Sequence, residues 1–129
     1  MSQTDIALVR RAWDAFARGD VDAAVEAFHP QVRWHGAGEP DGEGACHNRQ
    51  DAEAFLRGLL ARGVSAELLD IRQAGRRLVA LVQMRHAASE DDQPPPHGEL
   101  ITVRDGKVTE MLSYPTLQDA QAAGSAAGG

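Results

Sequence analysis

The chain has a single cysteine, Cys46, in 129 residues. One thiol excludes an intrachain disulfide framework. Basic runs are missing too: none is longer than the pair Arg76-Arg77, and the net charge is -6. An acidic chain repels phosphate backbones, which argues against a nucleic-acid partner. No apolar run approaches the ~18 residues that a membrane span requires. The opening "MSQTDIALVRRAW" carries acid early and lacks the apolar segment of a signal peptide. The spacings His-x-His, His-x-x-x-His and Cys-x-x-Cys, which set metal ligands on one helix face or turn, do not occur. Together these absences predict a cytoplasmic protein with no metal and no cofactor.

What is present is an ordinary globular profile, 43% hydrophobic and 25% charged. The length suits one domain with a sizeable core. Ile6, Val9, Trp13 and Phe16 recur at helical spacing between a Thr4 cap and a Gly19 stop. A shorter helix is predicted from the Asp20 cap, burying Val21, Ala24, Val25 and Phe28 before Pro30. "QVRWH" reads as a strand with Trp34 and His35 on opposite faces. A Gly-rich loop, Gly36 to His47, leads to a third helix over residues 49–62, with Asn48 and Asp51 as its capping box.

The remainder reads as sheet. "SAELLDIRQAG" and "RRLVALVQMRHAA" are strands, the second apolar enough for burial on both faces. "SEDDQPPP" is a polar loop expected to be mobile. In "HGELITVRDGKVTEMLSY" the Asp105-Gly106 pair marks a type I′ hairpin. Thr116 caps one helical turn through Gln121, and the Ala/Gly-rich end has too little apolar mass to stay ordered. Helices early and strands late predict an α+β domain: three N-terminal helices on the concave face of one curved antiparallel sheet, enclosing a cavity.

The stretch "ALVRRAWDAFARGDVDAAVEAFHPQVRWHG" resembles the opening of the nuclear transport factor 2-like superfamily, more narrowly its SnoaL-like group of polyketide cyclases and ketosteroid isomerase relatives. The matching elements are Trp13 and Phe16, the "RGDVDAAVEAF" corner, and the strand start at Pro30, Val32 and Trp34; "VRDGKVTEMLSY" is similar to the closing hairpin. The resemblance covers about residues 4–116, so one domain is expected over residues 1–116, and the composition of the rest predicts a short helical turn and flexible tail over 117–129. The resemblance also implies an α+β cone with an internal cavity, and an acid near the end of the last strand. Ser113 stands where that acid is expected.

The candidate residues follow from these placements. His35 is the candidate base, with Tyr114 or Ser113 as a hydrogen-bond partner for the ligand. Trp34, Met111, Thr109, Cys46 and His47 are candidate ligand contacts. Counting out from the Asp105-Gly106 turn pairs Ile101 with Glu110 and sets Glu99 opposite Leu112. That register puts Glu99 and Glu110 on one sheet face, where two nearby acids could share a proton or, the favoured reading, stand solvated on the outside; Met111, Thr109, Ser113, Thr102 and Leu100 take the other, pocket face. His86 and His97 bracket the Pro-rich loop and are placed to meet across a strand pair. Adjacent Cys46 and His47 point apart, so a thiolate would need a base from elsewhere, and burial of Cys46 at the helix start is the competing reading. Two functions stay open: a cavity protein binding an apolar oxygenated small molecule with isomerase- or cyclase-type proton abstraction, or a non-catalytic ligand-binding or dimerisation domain. A homodimer is expected through the outer sheet face, which "LVALVQM" would otherwise leave apolar and wet.

Overall fold

The computed structural model describes residues 2–87 and 91–126. Ser89 and Glu90 of the expected mobile loop, and tail residues 127–129, lie outside the described residues. In chain order the elements are α1 (Ser2–Ala17), α2 (Val21–Val25), β1 (Phe28–Gly36), α3 (Arg49–Ala61), β2 (Val64–Ala74), β3 (Arg77–His86), β4 (His97–Arg104), β5 (Lys107–Tyr114) and α4 (Leu117–Ala126).

Helix α1 buries Val9, Ala12 and Phe16, and its chain reverses at Gly19, whose φ of 83° needs the freedom of glycine. Asp20 caps α2 through the Ala23 amide at 3.1 Å. That helix stops at Val25, earlier than its periodicity predicts, and Phe28 begins β1 instead. Asn48 caps α3 as expected: its side chain accepts from the Asp51 amide at 2.8 Å, while Asp51 accepts from the His47 amide at 3.0 Å.

The five strands form one sheet in the order β1-β5-β4-β3-β2. Four are antiparallel neighbours, but β1 joins β5 in parallel, so the sheet is mixed rather than wholly antiparallel. The Gly-rich loop and α3 separate β1 from the other strands, a connection long enough to return the chain in either direction. Helices α1 and α3 cover one face, and a core including Val32, Leu56, Ile101 and Met111 lies between.

The expected closing turn is a full helix. Thr116 Oγ1 caps α4 at the Asp119 amide, 3.1 Å away, and the helix continues to Ala126. It packs on the other sheet face, burying Ala120 and Gly124 near Val79, Ala74 and Leu100. The apolar outer face of β3 is thus partly covered within the chain.

The closing hairpin departs from the counted register. Arg104 pairs with Lys107 and Val103 with Val108, but Thr102 then pairs with Glu110. Thr109 is the extra residue of a β-bulge, and beyond it every pairing shifts by one. Glu99 therefore faces Ser113, and Ile101 faces Met111.

Candidate functional site

Between the sheet and α1 and α3 lies a cavity of about 260 Å³. Its wall is mostly apolar: Trp13 and Phe16 from α1, Phe55, Leu56 and Leu59 from α3, and Val82, Met84 and Met111 from the sheet. Trp34 stands edge-on between two phenyl rings, 6.1 Å from Phe28 and 5.2 Å from Phe55 between centroids, a favoured aromatic geometry.

One end is polar. Glu99 is 2% exposed and is the buried charged residue among the described residues. Its carboxyl accepts from Ser113 Oγ at 2.9 Å (Oε1) and 2.8 Å (Oε2), and lies 2.6 Å from His97 Nε2. His97 and Glu99 are two apart on β4, so alternation sets both on one face. Ser113 reaches them across the strand pair. The placement of Glu99 on the outer solvated face is thereby corrected: the Thr109 bulge brings Met111 and Ser113 of β5 onto the inner face that Glu99 shares with Ile101 on β4. A carboxyl removed from water needs such partners, because burial without them is costly.

His35 also lines the cavity, with Nδ1 2.8 Å from the Gly36 carbonyl. Trp34 lines it too, so the expected opposition of these two residues does not hold at the strand end, where β1 runs out into the loop. That loop folds back onto β1: the Trp34 amide donates to Cys46 O at 3.0 Å, and the Cys46 amide donates to Trp34 O at 2.8 Å. Gly36, Glu43 and Gly44 carry it along the cavity rim.

Of the sequence candidates, His35, Ser113, Trp34 and Met111 come together on the cavity wall. Tyr114 packs instead beside α4, against Val79 and Ala120. The Thr109 hydroxyl donates to Thr102 O at 3.4 Å, outside the lining. Cys46 is buried in the core, and burial, then the charge of Asp51, pushes its thiol up to about 11, far from a ready thiolate. His47 is exposed and ties the loop together, with Nε2 3.0 Å from Asp41 Oδ1 and 3.1 Å from Pro40 O. His86 and His97 do not meet: His97 pairs with Val82, while His86 lies exposed beyond it and its amide donates to Gln93. Among the described residues no three His, Cys, Asp or Glu side chains converge as a metal site requires. Nor is any helix among them long and apolar enough to cross a membrane.

A helix-backed curved sheet around an apolar cavity with a buried acid defines the class: the α+β cone of the nuclear transport factor 2-like superfamily. Within it, residues 9–111 match the SnoaL-like domain, and the chain belongs to that family. Solved structures of the same fold include a protein assigned as a polyketide cyclase from Xanthomonas campestris pv. campestris (25% identical, TM-score 0.64, covering 93% of this chain and 96% of that one). A protein assigned as a ketosteroid isomerase from Kribbella flavida has a TM-score of 0.71 at 14% identity, over 86% of this chain and 76% of that one. TerC, co-crystallised with polyporic acid, has a TM-score of 0.67 at 18% identity, over 90% and 94%. No curated protein matches the chain.

Proposed function

We propose that the protein binds an apolar, oxygenated small molecule in the cavity and moves a proton on it, with Glu99 as the base. The observation that carries this reading is the burial of Glu99 on the wall of an otherwise apolar cavity, held by His97 and Ser113. The carboxylate would take a proton from the ligand and return it at another atom, an isomerisation with no net change in composition. His97 and Ser113 fix the orientation of the carboxyl, and the apolar walls exclude water. His35 stands as a second polar contact rather than the base. Tyr114, Thr109, Cys46 and His47 carry no role in this reading, because none of them lines the cavity.

Size supports a ligand of one or two rings. An apolar cavity of roughly 150 Å³ takes up benzene, and this one is about 260 Å³. The co-crystallisation of TerC with polyporic acid, in the same fold, agrees with an oxygenated ligand. We take the protein to act in the cytoplasm, which a lone thiol without a disulfide partner supports. Pairing of two chains through the part of the outer sheet face that α4 leaves open is the accompanying proposal, and sedimentation at micromolar concentration tests it.

The function is tested with one- and two-ring ketones and phenols in deuterated buffer. Ligand-observed NMR reports binding, and loss of C–H signal reports proton transfer. Saturable binding with deuterium uptake that Glu99→Gln abolishes is expected. Binding without uptake identifies a carrier rather than a catalyst, and no binding by any member removes the reading altogether.

A further inference from the structure

The side chains at the polar end of the cavity offer a ligand acceptors rather than donors. His35 Nδ1 lies 2.8 Å from the Gly36 carbonyl, which only accepts, so Nδ1 carries the proton. In the neutral ring the lone pair then sits on Nε2, to which no described residue is bonded. The Ser113 hydroxyl has one proton, and both of its contacts, at 2.9 and 2.8 Å, are with the Glu99 carboxyl. His97 Nε2 is likewise turned to that carboxyl at 2.6 Å. A carboxylate has about four lone-pair sites, and these neighbours leave at least one of them unused. Among the lining side chains, the donors left are the indole N–H groups of Trp13 and Trp34. Glu43, exposed on the rim, adds a second acid to the approach.

We propose that this cavity selects its ligand by a neutral hydroxyl donor: a phenolic or enolic ring compound whose O–H points at Glu99 and His35 while its ring rests on Trp34 and Phe55. Ketones and ethers bring acceptors to acceptors and leave buried lone pairs facing one another, which costs affinity. Carboxylates bring a like charge to Glu99. The proposal deepens the functional reading above and rests on the cavity being a ligand site. It sets the hydroxyl, not a carbonyl, as the group recognised beside the base.

A matched series on the wild-type full chain tests it: 2-naphthol, 2-methoxynaphthalene, 2-acetylnaphthalene and 2-naphthoate, each titrated by calorimetry at neutral pH. All four share one ring system, so only the polar group varies. We expect 2-naphthol to bind at least about tenfold tighter than the other three, the scale of one hydrogen bond to a charged acceptor. Glu99→Gln, which presents amide N–H donors, narrows that gap, and His35→Phe narrows it in part; near-ultraviolet circular dichroism verifies that both variants are folded. Equal or tighter binding of the ether or the ketone by the wild type overturns hydroxyl selection and leaves the cavity as a ligand site. Absence of binding by all four overturns both.

Discussion

Cys46 and Glu99 are both buried, yet their surroundings lead to opposite chemistry. The thiol has one weak contact, Sγ to Gly44 O at 3.7 Å, and burial raises it to about 11 from 9.0. A thiol-reactive probe at pH 8 should therefore label the folded protein at least about a hundredfold more slowly than it labels unfolded chain. The same shift has a sign for stability. Below pH 9 the thiol is protonated in folded and unfolded chains alike, and its contribution is complete; between pH 9 and about 11 the unfolded chain loses the proton first, so stability falls as pH rises. Cys46→Ala should flatten that alkaline slope in urea titrations, and an unchanged slope would assign it to other groups. Glu99 has three contacts from two side chains and a cavity in front of it. Removing its carboxyl with Glu99→Ala leaves Ser113 and His97 without their partner and should cost about 1–3 kcal/mol, read as a lower urea midpoint at constant m-value. The sequence pattern identified Ser113 and His35 as inward residues but placed Glu99 outside. The reason is local: strand alternation assumes an unbroken register, and nothing in "VTEML" marks Thr109 as an extra residue.

Elements show the same contrast between what periodicity carries and what close packing carries. Helices α1 and α3 are legible because their large apolar residues recur every three or four positions. Helix α4 is not, since "LQDAQAAGSA" has small residues where a stripe would show. Its docking depends on that smallness. A Cβ added at Gly98 would lie 2.6 Å from the Thr116 carbonyl oxygen and 2.9 Å from Ala120 Cβ, and one at Gly124 would lie 2.9 Å from Ala74 Cβ. Gly98→Ala must push α4 outward, at an expected cost of about 1–3 kcal/mol. Amide exchange over residues 117–126 should quicken at the same time. A stability loss without faster exchange there would locate the strain in β4 rather than in the helix. Asn48→Ala is a milder change, at the start of α3. It removes one cap and should cost about 1 kcal/mol, while loosening the loop that runs along the cavity rim.

At the scale of the whole molecule, the fold follows from element order and the site from how two sheet irregularities aim side chains. Helices before strands specify a layered α+β cone with an interior face, and that much can be read from periodicity. Which polar groups reach the interior depends on the bulge in β5 and on the end of β1, both set by long-range pairing that a single sequence does not display. The cavity itself is a further property of the assembled molecule, because its wall combines α1, α3 and every strand. Such a void leaves wall atoms without contacts, so filling it should stabilise the fold and remove the function together. Ala66 on β2 lines the cavity and is buried. Ala66→Leu extends an apolar side chain into that space and should raise stability by about 1 kcal/mol, seen as a higher urea midpoint. It should also weaken 2-naphthol binding by at least about tenfold, since ligand and side chain compete for one volume. A more stable variant that still binds at wild-type affinity would place the ligand outside the cavity, and the role of Glu99 would have to be sought elsewhere.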